Sequence, residues 1–359
     1  MKILLVYDLA VTSTRDVADG VRDGLRELGH EVIPVPIHQY AHLMFAPWRD
    51  LTPDKVPEHA RAMIYGAINK LILSEAIIHR PALLYVVTGW TVSVFAVEQI
   101  KQAIPIRTLL HLTESPYMDE EQAAMVGPWY DAVLTNERTT VRAWQRQHDN
   151  VAYMPHSYNP NVHSPAPIEQ DIDVFFCATG FEERMQMIGG TDWTGVKLYL
   201  AGLWPNPERY GIPKHAVHEG QIHNRDLPTF YRRARICLNQ HRTSKAWCEE
   251  VASGDSTQQQ YIAHAESLGP RVFEVMACGA FLLTDWREEL DALGLRDGEH
   301  LAIYRSPEEL AEKVWYYLAH TAERERIALR GMEAIRDCRF SSRLQSIVMP
   351  QFQEQEVSV

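Results

Sequence analysis

The sequence lacks any long apolar run. No stretch of its 359 residues approaches the roughly 18 to 20 consecutive apolar residues that a membrane-spanning helix needs. The first residues, Met1–Asp8, carry a charge at Lys2 and lack a small-residue cleavage site, so they predict a strand rather than a signal peptide. Both absences argue against a membrane-spanning or secreted protein.

Patterns typical of metal sites are missing as well. The five cysteines are odd in number and widely spaced, and no two of them have the spacing of zinc ligands. The sixteen histidines contain no HExxH motif. We therefore expect no metal site, and cysteines that stay reduced in the core of a cytoplasmic protein. The cysteines are Cys177, Cys237, Cys248, Cys278 and Cys338.

Positive charge is also in short supply. Lys and Arg number 35 against 47 Asp and Glu, which gives a net charge of −12. An acidic chain repels phosphate groups on average, so it could bind nucleic acid only through a local basic patch. The basic run of Arg232, Arg233 and Arg235 has a simpler explanation as the solvated face of a helix.

What the sequence does contain is a long alternation of strand and helix patterns. A chain of this length suits two domains, and 46% hydrophobic with 23% charged residues is typical of a globular protein. Buried strands that alternate with amphipathic helices predict an α/β fold of two doubly wound, Rossmann-like domains. We predict a first domain over 1–155, a linker over 156–170, a second domain over 171–336 and a tail over 337–359 that packs back toward the first domain.

The second half is organised around the stretch Gly269–Asp285. Gly269 and Pro270 predict a helix start, Gly279 predicts its end, and the apolar run that follows predicts a buried strand. The first-turn N–H groups of that helix could hold a phosphate, while Glu274, one turn further in, could accept hydrogen bonds from a ribose diol. An i,i+3 pair between Glu274 and Arg271 is the alternative, with equal weight.

There is no GxGxxG motif after the first strand. The turn there is rich in hydroxyl groups, and Thr12 is either a helix cap, which we favour, or an acceptor-side group. In doubly wound sheets, ligands bind outside the carboxyl ends of the strands. Trp90 and Tyr117 follow two such strands and could stack on a sugar or base, as could Trp204, although aromatic residues are more often part of a core.

Three motifs of the second half carry a family resemblance. The specific one is Arg271–Asp285 (RVFEVMACGAFLLTD), and Asp173–Arg184 (DVFFCATGFEER) and Tyr304–Leu310 (YRSPEEL) support it. Together they resemble the GT-B glycosyltransferases of the spore-maturation-protein CgeB-like branch. The resemblance covers the second half well and the first domain loosely. It implies the GT-B architecture of two facing domains and a nucleotide diphosphate sugar, most often UDP-linked, as co-substrate without a bound cofactor.

The same resemblance implies where the donor binds. Glu274 would bind the donor ribose, and the amides near Gly269 and Arg271 would face the diphosphate. Arg271 and Arg242 would supply counter-charges, because the planar guanidinium fork grips phosphate oxygens. Thr179 and Gly180 would line the opposite wall. The remaining donor-side residues that it implies are Arg184, Asn239, Val272 and Phe273.

Alternatives stay open for several of these residues. Arg242 could pair with Glu249 or Glu250, and Thr179 could cap the helix that follows it. Glu266 and Glu274 have the spacing of the paired glutamates found in many retaining GT-B enzymes. The segment between them lacks the usual glycine-rich approach, so we interpret Glu266 as a coincidence and leave the stereochemical outcome open.

Glycosyl transfer expels a nucleoside diphosphate, and a helix N-terminus with arginines can stabilise that charge without a metal. This fits the lack of a clear DxD pair. An inverting route also needs a base near the acceptor hydroxyl. Glu114 is the first candidate, Asp8 the second and His156 the third, although Glu114 could simply begin a turn and His156 could be a hinge residue.

The sequence therefore predicts a glycosyltransferase that moves a sugar to the hydroxyl of a saccharide, a protein, a small molecule or a hydroxymethylated base in phage DNA. Two alternatives remain. One is a nucleotide-sugar binding module without catalysis, and the other is a sugar-nucleotide epimerase of the same fold.

Overall fold

The computed structural model describes residues 1–7, 12–45, 56–117, 124–146, 148–218, 220, 222–243 and 265–353. The chain forms two compact units. The first comprises Met1–Pro155 together with Phe340–Val359, and the second comprises His156–Arg339. Among the described residues, no helix is long and apolar enough to cross a membrane.

The first unit is built on a parallel sheet of six strands in the order β2-β1-β3-β4-β5-β6. Its strands are β1 Lys2–Tyr7, β2 Glu31–Pro36, β3 Leu83–Val87, β4 Arg107–Leu112, β5 Ala132–Thr135 and β6 Val151–Tyr153. Its helices before the second unit are α1 Thr12–Glu27, α2 Ile37–Phe45, α3 Glu58–His79, α4 Val94–Ala103 and α5 Arg138–Trp144.

Alternation along the strands supplies this sheet with two apolar faces. Leu4 and Val6 of β1 join the core under α2 to α5, whereas Ile3 and Leu5 join the core under α1. Such alternation is what the period of two in a β-strand requires when both faces are covered. The sheet is therefore doubly wound.

The end of the chain completes the second of these cores. Helices α12 Phe340–Arg343 and α13 Pro350–Gln353 flank a π-helical segment, Leu344–Val348, and α12 and the π-helical segment pack against α1. Two glycines of α1 make room for them. A Cβ at Gly20 would lie 2.1 Å from Cε2 of Phe340, and one at Gly24 would lie 2.9 Å from the Ser341 nitrogen. Close packing at these glycines holds the chain end on the first unit.

The second unit contains a parallel sheet of five strands in the order β11-β10-β9-β7-β8. Its strands are β7 Ile172–Thr179, β8 Leu198–Leu203, β9 Ala234–Asn239, β10 Leu282–Asp285 and β11 Ala302–Tyr304. Its helices are α6 Glu182–Gly190, α7 Leu227–Arg233, α8 Pro270–Ala277, α9 Glu288–Ala292, α10 Pro307–Ala319 and α11 Thr321–Ala334. Helices α7 and α8 cover one face, while α6, α10 and α11 cover the other. The predicted pair of doubly wound parallel sheets is confirmed.

The segment 156–170, predicted as a linker, is held on the second unit. Tyr158 donates its backbone N–H to the Cys338 carbonyl at 3.3 Å and its hydroxyl to the Arg336 carbonyl at 3.1 Å. Asn159 and His163 in the same segment are buried. The compact division therefore falls between Pro155 and His156.

The helix boundaries show which capping residues in the sequence determine where a helix begins. The sequence predicts Ser306 and Thr321 as the caps of the helices that follow them. Ser306 does cap α10, because its Oγ accepts from the Glu309 amide at 3.2 Å. Thr321 is not the cap of α11 but its first helical residue, since His320 takes the cap position without a side-chain hydrogen bond. Helix α1 begins at Thr12, so Thr12 lies in the helix rather than in the turn before it. Among the described cysteines all are free thiols, and Cys248 lies outside the described residues.

Candidate functional site

The candidate site lies where β7, β9 and β10 end beside the first turn of α8. Because these strands are parallel neighbours in the sheet, the residues that follow them meet at one edge. Thr284 of β10 pairs with Asn239 of β9, which sets the register of this edge. The polar groups that meet there come from segments far apart in the sequence.

Helix α8 presents its N-terminus to this edge. Gly269 is the N-cap residue, Pro270 has no N–H to donate, and the Val272 amide already donates to the Gly269 carbonyl at 3.2 Å. The amide of Arg271 is therefore the first-turn donor that an anion would meet. Val272 and Phe273 were predicted on the donor side, but their side chains are completely buried in the core. Both side chains belong to the apolar face of α8.

Glu274 is half-buried one turn into α8. Its Oε2 accepts from the Tyr231 hydroxyl at 3.3 Å. Burial first, and the Glu274 charge second, raise the pKa of Tyr231 well above its usual value. The alternative i,i+3 pair with Arg271 is not found among the ion pairs of the described residues. Glu274 is thus a carboxylate supported by one neutral hydroxyl.

Arg271 is positioned by Asn239 at the end of β9. Its Nη1 donates to Asn239 Oδ1 at 3.1 Å, and Asn239 Nδ2 donates in turn to Thr284 Oγ1 at 2.9 Å. The guanidinium carbon lies 5.5 Å from the centre of the Phe176 ring. Asn239, predicted to bind the donor, therefore fixes the direction of Arg271.

Arg184 ties together the segments after β7 and β9. Its Nη1 donates to the Thr179 carbonyl at 2.9 Å and its Nε to the Gln240 carbonyl at 3.0 Å. Burial, followed by the nearby charge of Arg271, lowers its pKa to about 10. The side chain is only 8% exposed, so Arg184 supports the site from within while keeping its charge.

Arg242 lies over the ring of Phe181, with its guanidinium carbon 4.5 Å from the ring centre. Its backbone carbonyl accepts from Arg287 Nη2 at 3.1 Å. The predicted alternative partners, Glu249 and Glu250, lie outside the described residues. Like the guanidinium of Arg271, that of Arg242 is half-buried and makes a cation–π contact with an aromatic ring.

The turn from Thr179 to Phe181 is occupied by its own hydrogen bonds. Gly180 donates its N–H to the Leu203 carbonyl at 2.7 Å, and Phe181 donates to the Thr179 carbonyl at 2.9 Å. A Cβ at Gly180 would lie 2.7 Å from the sulfur of Met185, so close packing requires glycine there. The amide of Gly180 therefore serves the fold and not a phosphate. The cap residue of α6 is Phe181 rather than Thr179.

Three further polar side chains of this edge are not among those that the sequence predicts for the site. His241 and Asp285 form a pair, in which His241 Nδ1 lies 2.7 Å from Asp285 Oδ1 and the His241 amide donates to the same oxygen at 2.8 Å. Arg287 lies beside them, with its Nε 3.9 Å from Asp285 Oδ2. Each residue closely follows or ends a strand, which is the signal that could have identified them.

Burial and partner charges set the ionisation of this pair. Burial lowers the pKa of His241. Burial alone would raise the pKa of Asp285, but the His241 charge and hydrogen bond and then the Arg287 charge lower it overall. An ionised Asp285 beside a neutral His241 is therefore the resting state near pH 7.

The strand ends of the first unit carry the candidate base. Glu114 follows β4, and its carbonyl accepts from the Tyr117 amide at 2.8 Å. The next residue, Ser115, is held by the Asn136 side chain through bonds of 3.0 and 2.9 Å. This amide pair fixes the backbone beside Glu114, while the Glu114 side chain is half-buried.

The other predicted residues are dispersed. Trp90 and Tyr117 are half-buried in the first unit, as expected for groups near strand ends, but Trp204 packs against Phe176 in the core of the second unit. His156 is the first residue of the second unit. Asp8 lies outside the described residues, and Thr12 begins α1.

The basic run is paired with acidic neighbours. Arg233 forms two hydrogen bonds with Asp171, at 2.8 and 2.6 Å, and Arg235 forms an ion pair with Asp173. Arg232 donates to the Ser164 carbonyl at 2.8 Å. Two of the three arginines of the run are thus paired with carboxylates. No cluster of three potential metal ligands occurs in the described part of the chain.

Part of the chain matches a known family model, and nearly the whole chain is similar in fold to solved structures. A family model described as glycosyl transferase-like matches residues 184–348. No curated protein matches the sequence. A sucrose-phosphate synthase from Thermosynechococcus elongatus is 13% identical, with a TM-score of 0.61 over 98% of each chain.

Two further solved structures have the same fold. HepE from Anabaena in complex with UDP-glucose is 12% identical, with a TM-score of 0.61 over 98% of this chain and 99% of that chain. A UDP-GlcNAc 2-epimerase from Neisseria meningitidis bound to UDP-GlcNAc is 13% identical, with a TM-score of 0.52 over 98% of this chain and 99% of that chain. At such low identity these likenesses show the fold, which is GT-B, and the predicted fold class is confirmed.

Proposed function

We propose that this chain is a glycosyltransferase of the CgeB-like branch. It takes a sugar, hexose or pentose, from a uridine-linked nucleotide diphosphate donor and transfers it to an acceptor hydroxyl without a metal. The observation that carries the proposal is the group of arginines around the N-terminus of α8, with the Glu274 carboxylate one turn further along the helix.

The arginines form a site for a polyanion. Arg184, Arg242 and Arg271 are close enough for the charges of the other two to lower the pKa of Arg184 after burial. Like charges held this close repel one another, and a bound diphosphate would remove that repulsion. The N-terminus of α8 adds its partial positive charge at the same place.

Glu274 suits the ribose of the same donor. A carboxylate accepts from both hydroxyls of a diol, and such charge-assisted hydrogen bonds are stronger than neutral ones. Glu274 already accepts from Tyr231, so its orientation is fixed before a ligand arrives. The distance of one helical turn from the diphosphate site matches the arrangement that the resemblance implies.

Catalysis then needs charge stabilisation and a base. The arginines and α8 stabilise the negative charge that develops on the leaving diphosphate. Glu114, with Asp8 and His156 after it, is the candidate base that removes the proton from the acceptor hydroxyl. The complex of HepE with UDP-glucose and the similarity to a sucrose-phosphate synthase support a uridine-linked donor and a transfer reaction.

Calorimetric titration with several nucleotide sugars tests this proposal. Glu274→Ala should weaken donor binding by at least about tenfold, because a lost hydrogen bond to a charged group costs roughly 1.5–3 kcal/mol. Glu288→Ala, which removes an exposed glutamate of the same unit, is the matched control and should bind like the wild type. Unchanged affinity of Glu274→Ala would remove Glu274 from the site, and no binding of any nucleotide sugar would end the proposal.

A sugar-nucleotide epimerase is the second candidate, since the Neisseria epimerase has the same fold. An epimerase would convert its donor to an isomer with no acceptor present, whereas a transferase would need an acceptor. Incubation with a donor alone, followed by chromatography of the nucleotide sugars, separates the two. A chain that only binds would give neither product.

The acceptor is tested by transfer of a radiolabelled sugar. Oligosaccharides, peptides and hydroxymethylated DNA represent the three acceptor classes. Because the basic run is paired with Asp171 and Asp173, we expect DNA to be the poorest acceptor of the three.

A further inference from the structure

His241 occupies a built position at the N-terminus of α8. It is only 5% exposed, and its ring is fixed by Asp285 through the 2.7 Å contact at Nδ1. A Cβ built on Gly269, the N-cap residue of α8, would lie 3.7 Å from His241 Cδ2. The ring therefore lies directly beside the turn where the helix amides begin.

The other ring nitrogen, Nε2, is buried and has no hydrogen-bond partner among the described residues. The same holds for Nε of Arg271 and, apart from its 3.9 Å ion pair with Asp285, for Nε of Arg287. Buried polar atoms without partners are uncommon in folded proteins and often mark a ligand position. Here three such nitrogens belong to residues at one strand edge, and both arginine nitrogens are hydrogen-bond donors.

We propose that His241 is a phosphate ligand, whose Nε2 donates a hydrogen bond to the diphosphate of a nucleoside diphosphate bound at α8. This proposal rests on the proposed function, since it names a further residue of the same donor site. Neither the sequence motifs nor the matched family description assigns a role to this histidine.

Donation from Nε2 requires that His241 take up a proton. Asp285, when ionised, can only accept hydrogen bonds, so Nδ1 carries the proton of the neutral ring and Nε2 has a lone pair. The charged groups that face the ring are Asp285, which favours the imidazolium, and Arg287 and Arg184, which oppose it. A diphosphate adds negative charge beside Nε2 and tips this balance toward the imidazolium.

The pH dependence follows from this protonation. Burial lowers the pKa of His241 in the free protein, and a bound diphosphate raises it. Binding therefore consumes a proton, and affinity falls as the pH rises between the two pKa values. Above about pH 7 the terminal phosphate is fully ionised, since its second pKa is about 6, so the ligand adds no proton linkage of its own.

Two substitutions separate the roles of the two nitrogens. His241→Asn keeps an amide near Nδ1 for Asp285 but removes Nε2, whereas His241→Gln places an amide donor near Nε2. Titration of each with UDP by calorimetry should show about a tenfold or larger loss for His241→Asn, the loss expected for a hydrogen bond to a charged group. His241→Gln should recover most of the affinity but lose its dependence on pH between 7 and 9.

Proton uptake gives an independent readout. In two buffers of different ionisation enthalpy, wild-type protein should take up protons with UDP and His241→Gln should take up none. Equal UDP affinity of His241→Asn and wild type, or equal proton uptake by wild type and His241→Gln, would overturn the role of His241. If the wild type binds neither UDP nor other nucleoside diphosphates, the proposed function itself is wrong. Thermal melts of both variants show whether either has lost its fold. If His241→Asn does not fold, the UDP affinity and proton uptake of His241→Gln test the role of His241.

Discussion

The two units end their strands in chemically different ways although their sheets are built alike. In the first unit the described strand ends carry hydroxyl and amide groups that bond to one another. Thr88 and Thr113 approach within 3.4 Å at their hydroxyls, and Asn136 bonds to both the amide and the carbonyl of Ser115. The half-buried Glu114 after β4 and the buried Glu137 after β5 are carboxylates among these neutral groups.

In the second unit the same edge carries formal charge. Arg184, Arg242 and Arg271 gather there with the His241–Asp285 pair, and two of the arginines rest on aromatic rings. An edge of hydroxyl, amide and carboxylate groups suits a sugar hydroxyl, and a cationic edge suits a diphosphate. Both sheets thus provide an edge at which a ligand can bind. The charge of the residues that follow the strands determines which kind of ligand each edge suits.

The largest expected effect is the loss of kcat when the candidate base of the first unit is replaced. Glu114→Gln should reduce kcat by about 10²- to 10⁴-fold, the usual contribution of a general base, while donor affinity stays unchanged because Glu114 belongs to the other edge. Steady-state kinetics and donor titration measure the two quantities separately. Glu98→Gln, a half-buried glutamate of α4, serves as the control. An unchanged kcat would mean that Glu114 is not the base and would leave Asp8 and His156 as the candidates.

The next effect tests the charge of the second unit. Arg271→Ala should weaken UDP binding by roughly 10- to 100-fold, because a charge-assisted bond is lost and Asn239 loses its partner. Arg305→Ala, an exposed arginine of the same unit, should have no effect. Fluorescence or calorimetric titration with UDP checks both. If the two variants bind equally, the cationic edge is not the diphosphate site.

A smaller effect concerns stability of the first unit alone. Gly20→Ala should destabilise the protein by about 1–3 kcal/mol, since the new methyl would overlap the buried ring of Phe340. Gly66→Ala in α3, where no atom lies within 4 Å, should instead be neutral or stabilise by about 0.5–1 kcal/mol. Urea unfolding of both variants gives the comparison. Equal stability would mean that the chain end does not pack as described.

The smallest effect concerns the basic run. Replacing Arg233 and Arg235 by alanine should leave UDP affinity and the melting temperature close to wild type, because exposed ion pairs contribute little. Gel shifts with hydroxymethylated DNA should show no difference between the variant and the wild type. A loss of DNA binding would return these arginines to the functional surface.

Local signals in the sequence predicted the elements of the site but not their contacts. Gly269 and Pro270 predict the start of α8, and Glu274 lies on that helix where the pattern put it. The bond from Arg271 to Asn239 and the pair between His241 and Asp285 join segments 32 and 44 residues apart. They exist because β9 and β10 are neighbours, and a strand order is not written in local periodicity.

Besides the contacts between distant segments, the direction of side chains could not be predicted from the sequence. Val272 and Phe273 follow Arg271 directly, yet the helical turn sends both into the core. Gly180 was predicted to line the donor site, and its amide donates to a carbonyl of β8. In each case packing against a distant segment decided what the residue does.

The packing of α12 and the π-helical segment Leu344–Val348 on α1 has a consequence for synthesis on the ribosome. The sheet of the first unit is translated by Pro155, but the core under α1 stays incomplete until Phe340, Leu344 and Val348 emerge. The second unit, encoded in between, therefore has all its own residues available earlier. Folding during translation usually proceeds from the N-terminus; here the unit that starts first is the last to close.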